Sequence, residues 1–231
     1  MTASTASSNA TTTAARPAAT LFGLAIALFA VPAFVAAYRY VGGENRSDAQ
    51  VVGRELGIFV LVALLMWVIR SWERLPWSSI GLQADRLAQS AWRGCLLAVL
   101  MLVVTVGLYL LLQQLGIHLG ENAGGAFHPS LPVVTLIVFR AGIAEELFYR
   151  GYAMERLRSM TGNAWLAALL PLLVFALSHY RQGVGGIVAA FILGGIVTLF
   201  YLRYRDLAAN MLGHTLTDFV LNVGLPLAGG S

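Results

Sequence analysis

Charged and titratable side chains recur in three apolar stretches of the second half of the sequence, where they could carry out acid–base chemistry. An ionised group inside an apolar membrane helix costs on the order of 3 kcal/mol, so such residues normally have a partner or a function. The set comprises Arg140, Glu145, Glu146, Arg150, His179, His214 and Asp218. Because carboxylates and imidazoles accept and donate protons near neutral pH, the sequence predicts a functional site built from these three stretches.

Helical geometry divides the residues of the first stretch into two groups. Glu146 and Arg150 lie four residues apart, so they are expected to meet on one face of a helix as an ion pair. Glu145 projects about 100° away from that pair. It has no local counter-charge in this interpretation, which makes it the candidate general base. Arg140 is expected to have an acidic or carbonyl partner elsewhere in the fold.

Two histidines on later helices are expected to lie near this base. A spacing of four residues places Phe175 over His179 on one helix face. The same spacing places His214 over Asp218, so Asp218 can orient the imidazole. Glu145 and His179 each lie about 17 residues from the same predicted turn, so an antiparallel hairpin sets them at one depth. We expect three helices to share one cavity; the competing interpretation is that these residues only brace the helices.

The three stretches resemble the motifs of the CPBP family, which contains the CAAX proteases and bacteriocin-processing enzymes. Its Glu-Glu-x-x-x-Arg motif matches Glu145–Arg150, its Phe-x-x-x-His motif matches Phe175–His179, and its His-x-x-x-Asn/Asp motif matches His214–Asp218. The resemblance covers a motif core at residues 131–222. It implies an α-helical intramembrane protease.

The chemistry that this resemblance implies is hydrolysis of a peptide bond. That reaction requires a base for water and donors aimed at the developing oxyanion. The implied roles are activation of water for Glu145 and His179, oxyanion support for His214 and Asp218, and bracing for Glu146 and Arg150.

Metal dependence has two alternatives at this stage. Two histidines and one glutamate are a recognised catalytic zinc set, so Glu145, His179 and His214 would be the ligands if a metal is present. The sequence contains no His-Glu-x-x-His motif. We favour a glutamic mechanism without a cofactor over a zinc metalloprotease.

Composition indicates the elements that position these residues. Apolar residues make up 58% of the 231-residue chain and charged residues only 11%, whereas roughly a quarter of the residues of soluble domains are charged. We predict an all-α, polytopic transmembrane bundle of seven spanning helices, with eight as the alternative count. The predicted apolar stretches are Leu21–Ala37, which continues toward Val41, and Leu56–Ile69, Trp92–Ile117, Leu131–Tyr152, Trp165–Leu177, Val184–Tyr204 and Leu207–Leu227.

The distribution of polar and basic residues suggests how the chain is organised. Residues 1–20 are predicted to form a disordered polar tail, and residues 21–231 a single membrane-embedded domain. The first apolar stretch could instead be a signal peptide. Arginines are concentrated in alternate connections, which predicts that those connections lie in the cytoplasm. The protein is therefore expected to be a multi-pass protein of the plasma membrane. They form no basic stripe, so no nucleic-acid partner is expected.

The sequence therefore predicts an intramembrane endopeptidase. The expected partners are the lipid bilayer and a peptide or membrane-associated protein substrate, in CAAX-like or bacteriocin-type processing. The alternative is a non-catalytic self-immunity or scaffold protein in the same membrane. A proton-coupled transporter is a third interpretation, but the sequence lacks the two matching halves with broken helices that would favour it.

Overall fold

The computed structural model describes residues 17–42, 47–117 and 127–229, and all regular structure in these ranges is helical. The predicted all-α class is therefore confirmed. Most of the predicted polar tail lies outside the described residues, and the first helix begins at Pro17. The helices are α1 (Pro17–Gly42), α2 (Asp48–Trp72), α3 (Ala84–Gln114), α4 (131–161), α5 (Ala164–Ser178), α6 (Tyr180–Tyr204) and α7 (207–229).

Four of these helices, α1, α2, α3 and α6, are long and apolar enough to cross a membrane. The outer face of α3 shows why a membrane is needed, because Val99, Val103 and Val106 are each more than half exposed. A soluble protein rarely leaves such a row uncovered, whereas lipid tails can cover it. Helix α5 is apolar but shorter. The described helices thus form a membrane bundle, and the count of seven spans remains a prediction.

Side-chain caps and one glycine fix the turns that return the chain to the site. The Asn163 side chain accepts hydrogen bonds from two backbone amides at the start of α5, each at 3.0 Å. Gly162 precedes it with a φ of 68°, a conformation that favours glycine. Asp206 caps α7 in the same way by accepting from the Ala209 amide. The predicted hairpin between α4 and α5 is therefore present.

Ion pairs tie together the three arginine-rich connections that were predicted to share one side of the membrane. The pairs are Glu73 with Arg156, Glu155 with Arg205, and Asp206 with Arg93. They join the α2–α3 connection, the end of α4 and the turn between α6 and α7. These connections therefore lie at the same end of the bundle.

Helices α3 and α7 form the most extensive helix–helix contact of the described chain. Gly94 of α3 allows this approach, since a Cβ atom at its position would lie 2.9 Å from Leu212 and 3.0 Å from the carbonyl oxygen of Ala209. Small residues that let backbones come close are a main source of stability between membrane helices. This contact holds α7, which carries His214, against the rest of the bundle.

Replacing Gly94 by alanine is expected to destabilise the protein by roughly 1–3 kcal/mol, because the added methyl group would push α3 away from α7. The matched control is Gly107→Ala on the same helix, where a Cβ atom would have no neighbour within 4 Å. Reversible unfolding in mixed micelles measures both. Equal stability of the two variants would contradict the packing described for Gly94.

Candidate active site

A cavity of about 570 Å³ lies among α3, α4, α5, α6 and α7. The seven residues that the sequence singled out all line it: Arg140, Glu145, Glu146, Arg150, His179, His214 and Asp218. They come from α4, α5 and α7. The expected convergence of these three helices on one cavity is therefore observed.

Glu146 and Arg150 form the predicted ion pair, with Arg150 Nη1 2.9 Å from Glu146 Oε1. Both side chains are almost completely buried. Arg150 also donates to the Gly194 carbonyl of α6 at 3.0 Å and to the Thr198 hydroxyl at 3.4 Å, and its guanidinium lies 4.6 Å from the Phe175 ring centroid. The arginine thus links α4 to α5 and α6.

The local backbone permits this pairing. Over Glu146–Met154 the winding of α4 is π-helical, and all nine residues of this segment are buried. Short π-helical segments are rare and are frequent at functional sites. Gly194 leaves room for the arginine, because a Cβ atom there would lie 3.0 Å from Arg150 Nη2. Helical periodicity gave no sign of the π-helical segment, although the spacing of four residues still produces the ion pair.

His214 lies between two carboxylates. Its Nδ1 is 2.8 Å from Glu146 Oε1, and its Nε2 is 3.4 Å from Asp218 Oδ2. A doubly protonated imidazole would donate to both carboxylates. The predicted contact with Asp218 is confirmed, and the contact with Glu146 adds a link between α4 and α7.

Asn210 is a further member of this network. Its Nδ2 donates to Glu146 Oε2 at 3.3 Å and to the Val197 carbonyl at 3.0 Å. This residue was not among those predicted from the sequence. It could have been found, since Asn210 lies four residues before His214 and therefore shares its helix face.

The environment of Glu145 corrects one expectation. Glu145 was predicted to lack a counter-charge, but Arg140 Nη1 lies 3.0 Å from Glu145 Oε1. Arg140 also pairs with Glu55 of α2, which is fully buried, and Glu55 is bonded in turn by Arg54. The prediction was wrong because a five-residue separation on α4 was not considered as a pair. Arg140 has the acidic partner that was expected for it.

His179 is held at the end of α5 by its own helix. Its Nδ1 lies 2.8 Å from the Phe175 carbonyl oxygen, and the two rings have centroids 4.7 Å apart. A carbonyl oxygen only accepts, so Nδ1 carries the proton and the neutral ring has its lone pair on Nε2. His179 can therefore act as a base or orient water through Nε2.

The arrangement of these side chains bears on the zinc alternative. Within the described ranges, no group of three His, Cys, Asp or Glu side chains is close enough together to hold a metal ion. Glu145 is bonded by Arg140, and both ring nitrogens of His214 face carboxylates. Glu145, His179 and His214 do not form a zinc site in this arrangement.

A second cavity of about 300 Å³ lies beside the first. Glu145 and His179 line both cavities, as do Arg140 and Gln182. The remaining wall of the second cavity comes from α1, α2, the start of α6, Ser178 of α5 and three further residues of α4: Ala144, Phe148 and Tyr149. The candidate base and the candidate imidazole therefore stand between two chambers.

The fold and the site define a class of protein: an all-helical membrane protein with carboxylate and imidazole side chains gathered around an internal cavity. Residues 127–220 match the family model Rce1-like, whose description is type II CAAX prenyl endopeptidase Rce1-like. The chain therefore carries a domain of this CAAX protease family at these residues. The matched range contains all three motifs, so the family resemblance is confirmed. The family implies a protease activity. No curated protein and no solved structure matches the chain.

Replacing Glu146 by alanine is expected to lower the free energy of unfolding by about 3–5 kcal/mol, because Arg150 would stay buried without its carboxylate. The control is Asp85→Ala, which removes a carboxylate from an exposed pair with Arg86 and should cost about 0–1 kcal/mol. Unfolding in micelles measures both variants. A Glu146→Ala protein as stable as the control would show that the buried pair does not hold the helices together.

Proposed function

We propose that the protein is an intramembrane endopeptidase that hydrolyses a peptide bond in a peptide or a membrane-associated protein. The observation that carries this proposal is the placement of Glu145 and His179 on the wall shared by the two cavities. The Glu145 side chain is 19% exposed, whereas that of Glu146 is 0% exposed. Of the two neighbouring carboxylates, Glu145 is the one that water and substrate can reach.

Glu145 and His179 act on the attacking water. Arg140 holds Oε1 of Glu145, so Oε2 takes the proton as the water oxygen bonds to the carbonyl carbon. His179 orients the same water through Nε2. When the tetrahedral intermediate collapses, the carbon–nitrogen bond breaks and Glu145 returns the proton to the leaving amine. The products are a carboxylic acid, which then releases its proton to solvent or to the amine, and an amine.

His214 and Asp218 support the oxyanion. The 3.4 Å separation between His214 Nε2 and Asp218 Oδ2 is long for a charge-assisted hydrogen bond. An oxyanion can therefore compete with Asp218 for the same N–H donor. Asp218 then serves to orient the ring before substrate binds, while Glu146 and Arg150 keep His214 in place.

The family and the cavity both support a substrate class. The larger chamber has apolar walls that include Val138, Ala190 and Leu193, and its volume is in the range that holds drug-sized ligands. Apolar residues or a lipid-modified side chain near the scissile bond would suit it. This supports CAAX-like or bacteriocin-type processing.

We place all seven helices across the plasma membrane as a multi-pass protein. The arginine-rich connections, which ion pairs join at one end of the bundle, face the cytoplasm in this arrangement because basic loops are retained there.

The decisive experiment compares proteolysis of a peptide library by the purified wild-type protein, Glu145→Gln and His179→Gln. Both variants are expected to lose about 10²–10⁴-fold in turnover, because each removes a group that acts on the water. Mass spectrometry of the products measures the loss and locates the cleaved bond. Arg158→Gln, at an exposed site on the arginine-rich end, is the matched control and should retain activity.

Addition of a chelator separates the two mechanisms. Activity that persists supports the glutamic mechanism, whereas activity that is lost and then restored by zinc would overturn it. If the wild-type protein and both variants are equally inert on every peptide, the hydrolase proposal fails and a self-immunity or scaffold role is favoured.

Replacing Glu55 by glutamine is expected to lower kcat by up to about 100-fold with little change in KM. Arg140 would lose its ionic partner on α2 and would no longer hold the Glu145 carboxylate in position next to the attacking water. Arg140→Gln should behave alike, and Arg140→Lys should recover part of the activity because it keeps the charge. A purely structural role would instead lower stability and leave kcat of the folded fraction unchanged.

A further inference from the structure

The larger cavity lies toward one end of the bundle. On α7, His214 is eight residues beyond Asp206, the cap at the arginine-rich end, and Asn222 is sixteen residues beyond it. At about 1.5 Å per residue, these separations are about 12 and 24 Å along the helix axis. On α6, Gly186 lies about 27 Å from Tyr204, the last residue of that helix, by the same measure. The cavity therefore extends from near the middle of the bundle to the end opposite the arginine-rich one.

Buried side chains close the cavity toward the arginine-rich end. Leu97 and Met101 of α3 pack against Val197 of α6, and all three are at most 4% exposed. About one turn nearer to that end of α3, Arg93 pairs with Asp206 at 3.2 Å. These contacts separate the cavity from the arginine-rich end.

Exposed residues border the cavity at its other end. Gln182, at the start of α6, and Asn222 of α7 both line it and are exposed. Pro129, just before α4, also lines it and is partly exposed. His179 lies close to this border, because it is sixteen residues, or about 24 Å, beyond the Asn163 cap of α5. Gln182 lines the second cavity too, so the mouths of both chambers meet at this end.

The arginines distinguish the two ends of the bundle. Counted along the sequence, eight belong to the three connections of the arginine-rich end, and four lie in or beside the connections of the opposite end. The first set is Arg70, Arg74, Arg86, Arg93, Arg156, Arg158, Arg203 and Arg205, and the second set is Arg39, Arg46, Arg54 and Arg181. An excess of basic residues marks the cytoplasmic side of a membrane protein. The mouth of the cavity is at the end with fewer arginines.

We propose that the site opens on the extracytoplasmic side of the membrane and acts on a peptide segment that is exposed there. This inference rests on the proposed peptidase function. The segment enters past Gln182 and Asn222 and reaches Glu145 and His179 without crossing the bilayer. The substrate is then an exported peptide or the extracytoplasmic end of a membrane-anchored protein. Such a substrate agrees with bacteriocin-type processing of a peptide that has left the cell, and not with processing of a C-terminus that stays in the cytoplasm.

Cysteine labelling tests the direction of the opening. Cys95, the single cysteine of the chain, is first replaced by serine. Ser130→Cys then places a thiol beside the mouth, and Ser78→Cys places one at the arginine-rich end; both serines are exposed. A membrane-impermeant maleimide is expected to label Ser130→Cys in intact cells and Ser78→Cys only after permeabilisation. Any other pattern in intact cells would overturn the proposal.

A thiol on the cavity wall extends this test to the site itself. Asn222→Cys, in the same cysteine-free background, is expected to react with the maleimide in intact cells, as Ser130→Cys does. Complete labelling of every variant after denaturation is the control for thiol reactivity. Labelling of Asn222→Cys only after permeabilisation would show that the cavity is reached from the cytoplasm.

Sided vesicles test the access of substrate. A peptide that the wild-type protein cleaves in micelles is extended with charged residues outside the cleaved segment, so that it does not cross a bilayer. Right-side-out vesicles are expected to cleave it at the rate that they show after detergent is added, and inside-out vesicles only after detergent. Vesicles that carry Glu145→Gln control for other proteases. Cleavage by intact inside-out vesicles would contradict an extracytoplasmic opening.

The orientation and the activity fail in different ways. Cleavage in micelles together with cleavage by inside-out vesicles alone would keep the peptidase function and reject the extracytoplasmic opening. If the wild-type protein cleaves nothing in micelles, the peptidase function fails. The labelling pattern of Ser130→Cys, Asn222→Cys and Ser78→Cys would then still decide on which side the cavity opens.

Discussion

The buried ion pair between Glu146 and Arg150 is the interaction on which the rest of the site depends. Removing two charges from water is costly, and burial is tolerated only when the remaining donors and acceptors are satisfied. Here Arg150 reaches the Gly194 carbonyl of α6, and Glu146 accepts from Asn210 and contacts His214 of α7. Satisfying the hydrogen bonds of this one ion pair therefore brings α4, α6 and α7 together. It also fixes the position of His214, the imidazole that contacts Glu146.

Two adjacent glutamates have different surroundings, which is the basis for the different roles proposed for them. Both line the larger cavity, but Glu146 has no exposed surface and contacts Arg150, His214 and Asn210, whereas Glu145 is 19% exposed and contacts Arg140 at 3.0 Å. Neighbouring carboxylates in one active site are commonly separated in this way, with one held ionised as a scaffold and the other left accessible to react. The order of the two glutamates in the sequence does not indicate which one is accessible. The helix face on which each one lies does indicate it.

Local spacing explains how much of this could be predicted from the sequence. The Glu146–Arg150 and His214–Asp218 contacts both follow from a separation of four residues on one helix, and the order of the helices follows from the apolar stretches. The helix boundaries do not, because α2 begins at Asp48 and α3 at Ala84, each eight residues before the predicted stretch. The Arg140–Glu55 contact joins residues 85 positions apart, and helical periodicity carries no signal for it. Such tertiary contacts between helices leave no record in the pattern of one sequence. The environment of Glu145 was misjudged for a local reason, because its contact with Arg140 spans five residues of α4, whereas the usual helical pairs are three or four residues apart.

The anchoring of Arg140 also bears on where the working unit of this protein begins. The family match starts at residue 127, yet Glu55, which fixes Arg140, lies on α2 far upstream of it. A chimera that grafts only the matched stretch onto foreign N-terminal helices would inherit every motif residue and still leave the guanidinium beside Glu145 without its buried anchor. Any chimera that is meant to keep Arg140 in place beside Glu145 must therefore include helix α2 together with the motifs.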